Sequence, residues 1–489
     1  MFRKENVVLL IIFNLALFSN TLANANNSRL TIHGSLSPNA PDIGTLTIEF
    51  YNHYFFDLTG KNCILKKIIV NGRRFDYSSP KFNNTAFIKI KIDYSKYSNY
   101  YQLSKEIFVA SPGDNIDLKI DSTDFIFTGK DSERYFFSNK IAKIQPILSQ
   151  PFDGMSEEMM DYVYNAYNTA FLKRMEILHQ LSNRLPARVT KQIEFDLKCK
   201  ENYEYNRCIN KMLLTLNNDT IEKVIKPSFF KYSSHFLEGL NDSTLITNSP
   251  YYYDFVFKML RNINMMFHPT QPGDIYRTNF SYIFSSILSD YDGQTKYALL
   301  VCALTDFIVK DSTDQYFDAA LKEIPSNNYC YNILHNIKTK FGRGATVPNY
   351  ALKDTSNQTF YIEKLKGKVI ILDFWFTGCT GCKQLANAMK RVHEVFDSSK
   401  DVIFVSISVD KDINEWRKSV LSGVYASKSI DLYTNGMAEE HPLIKYYNFR
   451  GFPQLMLIGK DGRIFYSEPP IPSRPQTTNR FIEIVRSAI

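Results

Sequence analysis

The chain has 489 residues, 44% of them hydrophobic and 22% charged, with a formal net charge of +8. That length exceeds one ordinary domain and suggests about three, and the composition argues against both a disordered chain and a membrane-embedded body. The basic residues are scattered and mixed with acids, so their modest excess leaves no nucleic-acid footprint.

Residues 1–25 have the pattern of a cleaved export signal. Arg3 and Lys4 precede the largely apolar Val7–Phe18, and Ala23-Asn24-Ala25 forms a small-x-small cleavage site. An uncleaved anchor is the alternative, but about twelve residues are too few to span roughly 30 Å of hydrocarbon. The exported chain holds seven cysteines, Cys63, Cys199, Cys208, Cys302, Cys330, Cys379 and Cys382. An odd count leaves at least one thiol unpaired or only transiently paired. Cys302 lies in the apolar run Tyr297–Leu304 and reads as an inert buried thiol. Cys199 and Cys208 could bridge locally, although spacing alone does not establish a pair.

A β-rich domain is expected over 26–131. Leu30–Gly34, Thr45–Phe50, Ala86–Ile92 and Ile116–Ile120 alternate apolar with polar residues, and turn clusters such as Ser37–Asp42 and Ser111–Asn115 separate them. One antiparallel sheet or sandwich follows, without a catalytic constellation. Gly129-Lys130-Asp131-Ser132 hints at a phosphate loop, but Asp124 stands where the first glycine belongs.

Over 132–340 the period becomes helical, which predicts a central all-α region. Ser156 can cap a helix striped by Met160, Val163, Tyr167, Phe171, Met175 and Leu178. Similar patterns run through Tyr252–Met266, Tyr282–Leu288, Tyr297–Lys310 and Ala319–Ile324. Such stripes read as core, and His179, His235, His268 and His335 stand singly without ligand spacing.

Phe341–Pro348, with two glycines and a proline, is the clearest linker, and 341–489 then alternates strands with helices. Strands are predicted at Val369–Trp375, Val402–Val409, Ile430–Thr434, Leu455–Gly459 and Arg463–Tyr466, the last two forming a hairpin turned by Lys460-Asp461-Gly462. Helices are predicted at Thr380–Phe396, Ile413–Leu421, His441–Tyr447 and Thr478–Ala488.

Within this part, Asp373–Cys382 places two cysteines where a strand hands over to a helix. Free N–H groups and the positive end of the helix dipole favour a thiolate at the first cysteine. The second lies one turn along, close enough to close a disulfide with it. The functional reading is a redox dithiol. Zinc needs four ligands, and no second C-x-x-C or spaced His pair accompanies this one. A purely structural bridge over so short a loop would restrain the unfolded chain little.

Trp375–Cys382 after a buried strand, Gly451-Phe452-Pro453, and the lead-in Val347–Asp354 with Leu365–Val369 together resemble a thioredoxin-fold protein of the TlpA/ResA type. The resemblance implies Cys379 as exposed nucleophile, Cys382 as resolving cysteine, and Asp373 as a buried acid that shuttles the second cysteine's proton. It implies a cis Pro453 that leaves the Phe452 backbone free to pair with an extended substrate, with Trp375 also in the substrate-binding surface. Gly378 replaces the tryptophan common before the nucleophile and opens that side. Thr380-Gly381 lacks the usual proline and loosens the turn, so all three positions bear on redox potential. Ser111–Asp114 and Phe127–Glu133 resemble, more loosely, the amino-terminal region of exported thioredoxin-like proteins of Bacteroidetes-type bacteria.

A periplasmic or cell-envelope thiol:disulfide oxidoreductase, acting as a reductase, follows from this. It needs no metal or organic cofactor. Its partners would be disulfide-containing envelope proteins and a membrane thiol-reducing electron donor. Two other readings are an envelope scaffold whose dithiol only senses redox state, and a thiol peroxidase. The peroxidase lacks the proline that would frame the reactive thiol together with Thr377.

Overall fold

A computed structural model describes residues 28–40, 43, 45–53, 64–93, 106–122, 124–148, 155–237, 240–268, 279–307, 314–425, 429–449 and 451–489. The export signal predicted over 1–25, and Cys63, lie outside the described residues.

The amino-terminal strands are β1 (Thr31–Leu36), β2 (Thr45–Tyr51), β3 (Ile64–Ile69), β4 (Arg74–Ser78), β5 (Ala86–Asp93), β6 (Phe108–Ala110), β7 (Asn115–Ile120) and β8 (Phe125–Thr128). They form two four-stranded sheets, β4-β1-β7-β8 and β3-β2-β5-β6. Alternation dictates which side chains turn inward. Ile116, Leu118 and Ile120 of β7 share one core with Ile32, Leu46, Ile48, Ile88 and Ile90. The arrangement is not antiparallel throughout, because β1 and β7 pair in parallel from Thr31 beside Asn115 to Leu36 beside Ile120. The chain builds the other sheet between these two strands, so no hairpin constrains their direction.

The helices that follow are α1 (Glu133–Ala142), α2 (Glu157–Leu181), α3 (Ala187–Thr215), α4 (Lys226–Leu237), α5 (Tyr252–Phe267), α6 (Phe280–Asp290), α7 (Gly293–Phe307), α8 (Asp314–Glu323) and α9 (Tyr329–Phe341). Ser156 caps α2, its hydroxyl accepting the Met159 N–H at 3.2 Å. Met160, Val163, Tyr167 and Leu178 are buried along that helix. The sequence pattern does not announce α3, because α3 buries polar side chains as well as apolar ones. Lys200, Glu201, Asn202, Asn206 and Asn210 all point inward, and fully buried Arg174 and Glu201 pair at 2.7 Å. The suggested Cys199–Cys208 bridge is absent and both thiols are free. Nine residues along one helix separate their Cα atoms by roughly 13 Å, well beyond disulfide reach.

The carboxy-terminal part contains β9 (Leu352–Asp354), β10 (Thr359–Phe360), β11 (Val369–Trp375), α10 (Thr380–Phe396), β12 (Val402–Ser408), α11 (Ile413–Ser422), β13 (Ile430–Tyr433), α12 (Pro442–Tyr447), β14 (Gln454–Ile458), β15 (Ile464–Tyr466) and α13 (Pro475–Ala488). The sheet runs β10-β9-β13-β12-β11-β14-β15. β11 is central, parallel to β12 and antiparallel to β14. Covered on both faces, it reads as a nearly continuous apolar run. Val369 and Ile371 pack with Leu385, Met389, Val392 and Phe396 of α10 and Phe481 of α13. Ile370, Leu372 and Phe374 join Leu443, Ile444 and Tyr447 of α12. Each such buried side chain contributes roughly 1.5–3 kcal/mol relative to exposure.

That second face also anchors the sheet to the helical region. Leu334, Ile337 and Phe341 of α9 belong to the same cluster, and the Phe341 and Tyr447 rings lie 5.5 Å apart. The predicted linker is strapped down, since the Gly344 N–H donates to the Ile464 carbonyl at 2.7 Å and the Ile464 N–H to that of Ala345 at 2.9 Å. His441 ties the lead-in to α12. Its Nδ1 accepts the Leu443 N–H at 3.2 Å, so Nε2 carries the proton that meets the Ala351 carbonyl at 2.9 Å. Among the described residues, no helix is long and apolar enough to cross a membrane.

Candidate active site

β11 ends at Trp375 and α10 begins at Thr380, so Phe376–Cys379 form the turn at the top of the central strand. Cys379 is the N-cap of α10, its sulfur accepting the Cys382 N–H at 3.0 Å. The two cysteines form a disulfide, Sγ–Sγ 2.03 Å. Cys379 is less open than the resemblance implies. It is 6% exposed and Cys382 3%, because both are packed against Trp375, Tyr425 and the partly buried Phe452.

The loop after α12 closes the other side. The Phe452–Pro453 peptide is cis, and Cys379 Sγ lies 3.7 Å from the Phe452 carbonyl oxygen. A Cβ at Gly381 would stand 3.2 Å from Pro453 Cδ. Glycine at that position lets this loop approach the turn. The Phe376 and Phe452 rings meet edge to face at 5.9 Å, and Phe376 is 38% exposed. This aromatic lip replaces Trp375 as surface. Trp375 was predicted to touch substrate, but it is fully buried. Period-two alternation turns it inward, where its indole N–H donates to Ser406 Oγ at 2.5 Å.

Gly378 is exposed at a φ of +95°, with nothing within 4 Å of where a Cβ would be. That backbone conformation favours glycine. The Gly378 N–H donates to the Tyr425 hydroxyl at 2.7 Å, and the Tyr425 ring stacks on Trp375 at 4.7 Å. Thr380 is the exposed first residue of α10.

The turn is held by a group that no motif in the sequence singles out. Asp410 follows β12 and is 6% exposed. It accepts the Thr377 N–H at 2.7 Å, the Thr377 hydroxyl at 2.8 Å and the Ser408 hydroxyl at 2.8 Å. Thr377 Oγ1 is also 2.8 Å from Ser419 Oγ on α11. An acid ending the apolar run Val402–Val409 was the available signal. Tyr425 had none.

Asp373 lies mid-strand on β11, in register with Ser406 on one side and Leu455 on the other. It shares a face with Ile371 and Trp375, the face that α10 covers. Part of the residue's surface stays open, yet its carboxyl sits deep among protein atoms. Burial, reinforced by the Asp431 carboxylate, pushes it up to about 8, against its own backbone N–H. Among the described residues, no three His, Cys, Asp or Glu side chains gather in a metal-binding group.

Residues 367–464 match the thioredoxin-like domain family, and the carboxy-terminal part is a thioredoxin-like domain. Thiol-disulfide oxidoreductase ResA of Bacillus subtilis is 26% identical over 137 residues, 27% of this chain and 71% of the relative. The thioredoxin domain of a Bacteroides vulgatus thiol-disulfide oxidoreductase is 20% identical over 29% of this chain and 97% of its own, with a TM-score of 0.25. A thiol:disulfide interchange protein from Bacteroides sp. is 21% identical over 29% of this chain and 92% of its own, with a TM-score of 0.26.

Proposed function

We propose that this chain is an exported thiol-disulfide oxidoreductase that reduces protein disulfides in the cell envelope. The observation that carries the reading is the Cys379–Cys382 disulfide at the N-terminus of α10, on the sheet face that also bears Asp373. Similarity to ResA, named a thiol-disulfide oxidoreductase, supports it, and the sequence pattern of residues 1–25 supports export.

In the reduced protein, the Cys382 N–H and the helix dipole favour the Cys379 thiolate. That thiolate attacks one sulfur of a substrate disulfide, and the other sulfur leaves with the bonding electron pair. Cys382 then passes its proton to the Asp373 carboxylate and attacks Cys379 Sγ. The second substrate thiolate departs, leaving the disulfide seen here and two reduced substrate sulfurs. The Phe452 backbone, beside Cys379, pairs with an extended substrate segment, and Phe376 offers it apolar surface. A membrane thiol-reducing partner returns two electrons to complete the cycle.

The test is Cys382→Ser expressed in the envelope. A mixed disulfide on Cys379 should accumulate there, with mass spectrometry identifying the client, while Cys379→Ala should lose insulin reduction. Unchanged reduction by Cys379→Ala would overturn the reading.

A further inference from the structure

Asp431 belongs to no motif, yet the sheet sets it in line with the site. Parallel pairing places Asp373 beside Ser406 and Ser406 beside Asp431. Residues in register share a sheet face, so the three form one row across β11, β12 and β13 on the side that α10 covers. Ser406 is 1% exposed and accepts the Trp375 indole N–H. Asp431 keeps part of its surface open and accepts the Ser429 hydroxyl at 2.9 Å.

Among the described residues, no cation is a principal influence on the Asp373 or Asp431 carboxyl. β14 sets apolar Leu455 beside Asp373. β9 places Asp354 beside Leu432 and Lys353 beside Tyr433, one and two positions beyond Asp431. α10 begins with the dithiol, and its Lys383 ammonium sits over the Tyr425 ring at 5.5 Å. Among the described residues, the Asp431 carboxylate is the charged group that, after burial, pushes the Asp373 carboxyl up. Burial raises Asp431 as well, with the Ser429 hydrogen bond opposing.

We propose that Asp431 is a positioning residue for proton transfer at the dithiol, its negative charge keeping the proton on Asp373 until the disulfide opens. This rests on the exchange reading above. When an incoming thiolate bonds to Cys379 Sγ, the Cys379–Cys382 bond breaks and its electron pair goes to Cys382 Sγ. The proton moves from Asp373 to that sulfur. The products are a mixed disulfide on Cys379, a thiol at Cys382 and a carboxylate at Asp373. The more solvent-open Asp431 holds the pair's negative charge while Asp373 waits protonated. This two-carboxylate device is the like-charge logic that separates the proton affinities of neighbouring acids.

The chain's two tryptophans, Trp375 and Trp416, both pack in the cluster containing the disulfide, so intrinsic fluorescence reports on this site. The oxidised full chain is reduced by dithiothreitol in a stopped-flow instrument across the neutral and alkaline range, with rates normalised to reductant thiolate. The wild-type rate should fall as pH rises through the titration of Asp373. In Asp431→Asn the midpoint of that fall should move down by roughly one pH unit, and in Asp431→Glu it should stay. Asp431→Ser provides a second neutral variant should Asp431→Asn fold poorly. In an Asp373→Asn background, Asp431→Asn should change nothing further. Rapid reduction with a neutral variant matching the wild-type profile overturns the role of Asp431 and leaves the exchange reading standing. The same shift with Asp373 absent does likewise. A wild-type disulfide that dithiothreitol opens no faster than a simple disulfide overturns both.

Discussion

Asp410 holds Thr377 by two bonds at once, accepting its backbone N–H at 2.7 Å and its hydroxyl at 2.8 Å. The second residue of the turn before Cys379 is thus clamped to the segment that follows β12. Thr377→Val keeps the shape and the N–H bond but removes the hydroxyl from Asp410 and Ser419. Leaving buried acceptors unmade costs about 1–3 kcal/mol. Urea unfolding of the oxidised protein should show that loss, and Asp410→Ala should exceed it because the Thr377 amide and the Ser408 hydroxyl also lose their partner.

Asp373 makes stability depend on pH in a defined direction. Its folded carboxyl is pushed up to about 8, whereas an unfolded Asp titrates near ~3.9. Between those values the folded chain binds more protons than the unfolded one, so stability falls as pH rises and levels off above the folded value. Asp373→Asn removes this dependence. Unfolding at a pH near ~5 and again near ~8 should show the variant gaining on wild type at the higher pH, by an amount on the order of a few kcal/mol. Its disulfide exchange should be slower, since no carboxyl serves Cys382.

Gly378 and Gly381 are glycines for opposite reasons, and alanine separates them. At Gly378 the space is open but φ is +95°, so Gly378→Ala should destabilise by about 1–2 kcal/mol through the backbone. At Gly381 the backbone is ordinary but a Cβ would stand 3.2 Å from Pro453 Cδ. Gly381→Ala should therefore change unfolding little and alter the rate of exchange with a protein disulfide, because it pushes on the Pro453 loop. Urea unfolding paired with insulin reduction checks both.

How much was legible depended on how local each signal was. β11 and α10 follow the predicted bounds, Val369–Trp375 and Thr380–Phe396, because one is a continuous apolar run and the other a clean stripe of Leu385, Met389, Val392 and Phe396. The short β9 and β10 were missed, since two or three residues carry no period. α3 was missed because its buried face holds Lys200, Glu201 and Asn206, whose partners come from distant segments. Lys200 meets Glu106 at 2.5 Å. Trp375 was misplaced as surface because the motif shows which residues flank the cysteines and not which way the last strand residue turns.

Local signals along the chain suffice for a strand-to-helix turn carrying two cysteines three apart, an acid within the apolar strand before them, and a proline-bearing loop further on. Those follow from hydrophobic period, helix-end chemistry and the backbone restriction of proline. What surrounds the dithiol is set by packing between distant segments. Asp410 reaches the turn from the segment that follows β12 and Tyr425 from beyond α11, and Asp431 lines up with Asp373 through strand register. Each of these relationships joins residues more than thirty positions apart, and the pairing of β11 with β12 and of β12 with β13 sets the register that aligns Asp373 with Asp431.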